Sequence, residues 1–193
     1  MESNDDVVLL DEAGHPIGVT PKASVHGPDT PLHLAFSCHV RDSAGRVLIT
    51  RRALDKATWP GVWSNSFCGH PRPAEAVVDA VHRHAEHELG LILSDVELAL
   101  PVFRYRAVDS AGTVENEVCP VYLASSPDDV SPRPDEVMDY AWVDALDLGK
   151  SIRLTPWAFS PWLVLQAQLL PFLGGIAPDR WSTPESEKRE IAG

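Results

Sequence analysis

The sequence is short of positive charge: 16 Lys and Arg stand against 28 Asp and Glu, for a formal net charge of −12. Binding to nucleic acid or to an anionic membrane depends on Lys and Arg neutralising phosphates, so general affinity for either is excluded. An anionic small molecule would need a local basic pocket. Cysteine is scarce as well. Cys38, Cys68 and Cys119 are odd in number and lack framework spacing, which excludes a disulfide scaffold and predicts free thiols in a reducing cytoplasm. No apolar run approaches bilayer length, and the start, MESNDDVVLL, has neither a basic segment nor an apolar stretch of signal length. A soluble protein is expected, and no internal repeat is found.

What is present is a 193-residue chain, 44% hydrophobic, enough for one globular domain with a sizeable core. Residues 1–173 are read as that domain, and 174–193, GGIAPDRWSTPESEKREIAG, as a flexible tail. Val7–Leu10 and Ile17–Thr20 flank a turn and predict a hairpin, followed by a loop from Pro21 to Pro31. LHLAFSCHV alternates: Leu32, Leu34, Phe36, Cys38 and Val40 form a core face, and His33 and His39 point away from it. Val47–Arg52 is a second strand. Val96–Val108 and Val114–Ala124 flank the turn Asp109–Gly112 as a hairpin, and Val137–Val143 is a further strand. In TPWAFSPW, Ser160 and Pro161 have the chemistry of an N-cap and first helical position, which places Trp162 in the first turn of an apolar helix, held rigidly at a pocket rim.

The chemistry concentrates between Ser64 and Leu91. Val77, Ala80, Val81, Ala85 and Leu89 recur at helical steps, with Pro73 near the start and Gly90 near the end. Glu75 is placed in the first turn, and Asp79 and Arg83 can pair on the solvated side. Cys68 lies ahead of this helix between Ser64, Asn65, Ser66 and Gly69, His70, in a turn-rich loop where thiol reactivity can be tuned. Glu115 and Glu117 are two apart on a strand and therefore share a face, where like charges repel unless the face is solvated or holds a cation. Tyr105 falls opposite Glu117 or one residue off. His26, His33 and His70 are imidazoles on loops or off the core face, and with the two carboxylates they would suit Mn, Fe or Zn in an octahedral centre. His15 and His82 are read as solvated or structural. Lys22, Arg52 and Lys56 can supply the local basic pocket.

The spacing from Gly69 through Glu75, Arg83 and Glu88 to Leu91 resembles the Nudix box, but His84 and His87 stand where the hydrolase pattern has Glu, and only Glu88 remains of the acidic cluster. With NSFCGHP, FRYRA, ENEVCPV, DEVMDYAWV and TPWAFSPW in order, the chain from about Val7 to Leu170 resembles type 1 isopentenyl diphosphate isomerase. The resemblance implies an α/β Nudix fold, a mixed sheet between helices, with an N-terminal extension. It implies catalytic Cys68 and Glu117, a Mn²⁺ or Zn²⁺ centre of His26, His33, His70, Glu115 and Glu117, and Mg²⁺ held by Glu88 and the Cys68 backbone. Lys22, Arg52 and Lys56 would hold the diphosphate, Tyr105 would hydrogen-bond the acid or base, and Trp162 would face the hydrocarbon. A monomer acting on a small prenyl diphosphate is expected. The alternatives are a Nudix hydrolase of a prenyl or nucleoside diphosphate, and a binding domain that has lost catalysis. No role is placed on His84 or His87.

Overall fold

The computed structural model describes residues 6–176. β1 (Asp6–Leu10) and β2 (Pro16–Pro21) form the expected hairpin, its turn held by Asp11, whose Oδ1 accepts from the backbone N–H of Ala13 and His15. A one-turn helix, α1 (Lys22–Val25), interrupts the segment read as loop.

At Leu32–Val40 simple alternation misleads. The run is two strands, β3 (His33–Leu34) and β4 (Phe36–Arg41), and the chain passes from one sheet to the other at Ala35. Leu32 packs with Val8 and Leu10, whereas Phe36, Cys38 and Val40 pack with Ala80, Val81, Ala85 and Leu89. The histidine face is a second interior, which corrects the expectation that His33 and His39 avoid the core. Both are fully buried, and His39 Nε2 meets Gln166 Oε1 at 2.9 Å beside the Phe172 ring.

This burial has a pH consequence. Desolvation pulls the His39 imidazole down to about 4, and its hydrogen bond with Gln166 offsets that only in part. The unfolded chain, with its histidine near 6.5, then binds a proton that the native chain does not, so stability falls as pH drops from 6.5 toward 4. At pH 5 the loss is expected to be about 2 kcal/mol. Urea melts at pH 7 and pH 5 should show a shallower pH dependence in His39→Phe; an identical loss in both proteins would place the acid sensitivity elsewhere.

β5 (Val47–Arg52) is followed by the short strands β6 (Trp63–Ser64) and β7 (Phe67–Gly69), which pair with β5 and β4 respectively. Next comes α2 (Val77–His84), extended by a wider π-type turn over Ala85–Leu89 and stopped by Gly90 at φ 67°, a left-handed conformation suited to glycine. Glu75 precedes this helix and so lies outside its first turn. It accepts from the Arg72 backbone N–H and takes a fork of two hydrogen bonds from Arg83. The paired runs after the helix each divide in two at a proline, which cannot donate to a ladder. Pro101 separates β8 (Ser94–Leu100) from β9 (Arg104–Val108), and Pro120 separates β10 (Val114–Val118) from β11 (Val121–Ser125). β12 (Val137–Val143), α3 (Ala145–Leu154) and α4 (Pro161–Leu169) complete the fold.

The first sheet has the order β2-β1-β3-β10-β9 and the second β12-β5-β4-β11-β8. β3 lies parallel to β10 and β4 parallel to β11, so two chain segments cross together from sheet to sheet. One core joins the second sheet to α2, and another joins both sheets to α3 and α4. The mixed sheet between helices is the predicted architecture. At the C-terminal end the N–H groups of Gly175 and Ile176 donate to the carbonyls of Leu170 and Gln168. The remainder of the expected tail, 177–193, lies outside the described residues.

Candidate active site

Three imidazoles and two carboxylates converge from four places in the chain. The backbone N–H of Val114 donates to the Gly27 carbonyl, and this bridge sets His26 beside Glu115, Nε2 to Oε2 3.0 Å. The parallel register of β3 and β10 sets His33 opposite Glu117, Nε2 to Oε1 3.5 Å. β7 pairs Gly69 with Phe36, and His70, the next residue, reaches Glu117 Oε1 at 3.4 Å. One ligand atom from each of His26, His33, His70 and Glu117 lies within 4.8 Å of every other.

The donor chemistry fits a divalent cation. Nε2 of His26, His33 and His70 and Oε2 of Glu115 are buried without a hydrogen-bond partner, in a cluster where such orphans are costly. His33 Nδ1 lies 2.9 Å from the Pro31 carbonyl, so its hydrogen sits there and Nε2 keeps a free lone pair. Burial pulls the His70 imidazole down to about 4, which keeps it neutral and able to ligate. Burial acts to raise Glu117, but the neighbouring His33 and His70 outweigh it and hold the carboxyl well below the usual range. Glu115 goes the other way, raised by burial and by the Glu117 charge. Its Oε1 accepts from Thr58 Oγ1 at 2.7 Å, and Arg52 donates to the same hydroxyl and to the Thr58 carbonyl.

Cys68, on β7 and two residues before His70, has its sulfur 3.2 Å from Ser37 Oγ and donates to Asn65 Oδ1 at 3.3 Å. Burial pushes its thiol up to about 12, against the lowering contributed by Ser37. Asn65 is fixed by its amide, which donates to the carbonyls of Cys38 and Phe67, and its oxygen also receives Ser64 Oγ and the Trp162 indole N–H. The N-cap position of α4 is Ser160 as expected, but its hydroxyl bonds to Ser64 and does not cap the helix. Trp162 is correspondingly sunk: it is 2% exposed and forms a wall of the cavity, where a rim position is expected. Tyr105 lies directly opposite Glu117 in the β9–β10 register and tilts against Trp162 at 5.7 Å, while Arg52 sits over the indole at 5.4 Å. Desolvation, reinforced by the Glu117 charge, keeps the Tyr105 phenol protonated.

A cavity of about 430 Å³ is bounded by Lys22, His26, Arg52, Lys56, Cys68, His70, Glu88, Tyr105, Glu115, Glu117 and Trp162. Every residue that the resemblance implies for the site lines it except His33, which is fully buried. The pocket is not purely basic, for Asp55, Asp135 and Glu136 also border it and Lys56 is ion-paired with Glu136. Glu88 is buried and accepts from His84 Nδ1 at 2.6 Å. A Cβ on Gly69 would stand 2.6 Å from the His84 ring, so the glycine of the box lets that imidazole lie against β7. The residues that sequence reasoning passed over are Ser37, Thr58, His84 and Gln166. His84 stood out as a departure from the box; the other three carry no local signal and become visible only through the pairing of distant strands.

The family model for the NUDIX domain matches residues 31–163. An isopentenyl-diphosphate Delta-isomerase of Agromyces mediolanus is 66% identical over 177 residues, covering 92% of this chain and 86% of that one. One from Clavibacter sepedonicus is 63% identical over 164 residues, with 85% and 86% coverage, and one from Paenarthrobacter aurescens 54% over 181 residues, with 91% and 98%. Among solved structures, DR0079 from Deinococcus radiodurans superposes with a TM-score of 0.64 at 18% identity, covering 83% of this chain and 96% of its own. That likeness is one of fold.

Proposed function

The chain belongs to the NUDIX family and, within it, to the isopentenyl-diphosphate Delta-isomerases, and we infer that it converts isopentenyl diphosphate reversibly to dimethylallyl diphosphate without cleaving the diphosphate. The observation that carries the reading is one cavity with a thiol from the second sheet, Cys68, and a carboxylate from the first, Glu117. Moving an unactivated double bond requires a proton delivered at one carbon and another removed two carbons away, through a tertiary carbocation. Two proton-transfer groups on separate elements can flank a five-carbon chain in that way. One gives the proton while the other takes it, and their roles exchange in the back reaction.

The surrounding residues serve that transfer. Trp162 and Tyr105 offer π faces where positive charge develops, and the buried wall they form keeps out water that would trap the ion. Lys22, Arg52 and Lys56 border the cavity as anchors for the diphosphate, Lys56 through exchange of its Glu136 partner. A Mn²⁺ or Zn²⁺ ion held by His26, His33, His70, Glu115 and Glu117 would supply a fixed positive charge that orients Glu117 and sets its proton affinity. Glu88 and the Cys68 backbone oxygen would hold the Mg²⁺ that accompanies the diphosphate. The three unpaired thiols suit a reducing cytoplasm, and the product class places the enzyme in isoprenoid biosynthesis.

The test is a single incubation of the protein with isopentenyl diphosphate, Mg²⁺ and Mn²⁺ in deuterated water, followed by proton and phosphorus NMR. Dimethylallyl diphosphate carrying solvent deuterium, with no free phosphate, is expected. Phosphate release would overturn the reading in favour of hydrolysis, and an unchanged spectrum would exclude the substrate.

A further inference from the structure

We propose that Ser37 is a positioning residue for this reaction: its hydroxyl hydrogen is directed into the Cys68 sulfur, which turns the hydrogen of the thiol away from Ser37 and toward Asn65. The proposal rests on the reading of Cys68 as a proton-transfer group.

The placement comes from strand register. β4 and β7 pair Ser37 with Cys68, and Ser37 Oγ lies 3.2 Å from the Cys68 sulfur, 3.4 Å from that of Cys119 and 2.9 Å from Gln166 Nε2. The direction of the hydrogen bonds follows from the far end of the chain. His39 Nδ1 is buried with no partner. A bare nitrogen there costs less than a stranded N–H, so the ring hydrogen resides on Nε2 and donates to Gln166 Oε1 at 2.9 Å. That fixes the amide, and its NH₂ must point at Ser37. The Ser37 oxygen is therefore an acceptor toward Gln166, and its one hydrogen is left for sulfur, Cys68 being the nearer of the two. With that approach taken, the S–H of Cys68 goes to Asn65 Oδ1, an oxygen held in place by Ser64 and Trp162. His39, Gln166 and Ser37 thus form a buried, directional chain that ends on a reacting group.

The experiment has an arm that needs no turnover. The S–H stretching band of Cys68 is read by infrared spectroscopy of the resting protein, assigned by difference from Cys68→Ala. In Ser37→Ala that band is expected to move, and kcat for isopentenyl diphosphate to fall about tenfold with KM changed by less than about twofold. Ser37→Thr, which keeps the hydroxyl, should restore both. Gln166→Glu leaves Ser37 intact but offers it an acceptor in place of a donor, so the hydroxyl turns away from sulfur and the band should move as in Ser37→Ala. An unmoved band in both Ser37→Ala and Gln166→Glu overturns the proposal, as does a fall in kcat that Ser37→Thr does not rescue. A moved band in a protein whose parent fails to isomerise the substrate would leave the hydrogen bond standing and sink the functional reading alone.

Discussion

Cys68→Ala is expected to lower turnover of isopentenyl diphosphate by roughly 10²–10⁴-fold, the range for deleting a group that carries a proton in the transition state. The fold should survive. Cys68 is a half-buried residue on a short strand, its two hydrogen-bond partners have others to turn to, and Ala fits the same strand, so melting should change by no more than about 1 kcal/mol. KM should stay near that of the parent, because Lys22, Arg52 and Lys56, the proposed anchors of the diphosphate, are untouched. Steady-state assays of product by mass spectrometry, paired with thermal melts, decide the matter. Turnover near that of the parent would remove Cys68 from the chemistry.

Glu117→Gln should be as severe, again roughly 10²–10⁴-fold in turnover, but with a second signature. The carboxylate oxygen nearest His33 and His70 becomes part of a neutral amide, which carries no charge to balance a cation and takes up no proton near neutral pH. Metal retained after dialysis, counted by elemental analysis, is therefore expected to fall together with the rate. Retained metal with lost turnover would confine Glu117 to proton transfer. Retention of both would remove it from the site altogether.

The two substitutions also show which parts of the protein could be read from its sequence. Glu115 and Glu117 share a strand face by a period of two, a purely local rule, whereas the Asp109–Gly112 turn leaves Tyr105 opposite Glu117 or one residue off, and the β9–β10 register has it directly opposite. The central helix was legible from its apolar spacing, though not its starting residue or its π-type end. The failures have one physical source. At Leu32–Val40 and again at Val114–Ala124 the strand changes sheets partway, so a residue's neighbours are decided by a partner strand far away in sequence and not by its own alternation. His39 was misplaced for that reason, and Ser37, Thr58 and Gln166 went unseen. Their contacts span 57 to 129 positions, or in the case of Ser37 and Cys68 a strand register that composition does not specify. Trp162 was placed at a rim because its helix start was evident, while the Ser64 and Asn65 oxygens that draw the indole inward lie nearly a hundred residues away.

The joint crossing of β3–β4 beside β10–β11 bears on how quickly the protein assembles. His33 pairs with Glu117 and Ser37 with Val121, in each case across 84 positions, and parallel pairing of such distant segments is slow because chain closure must precede any reward from contact. The proposed cation ligands His33 and Glu117 meet across that same seam, so the cation site is expected to form late, after the hairpins and the central helix. A bound cation would then contribute little to the rate of folding and much to the barrier against unfolding, serving as a latch on the finished molecule.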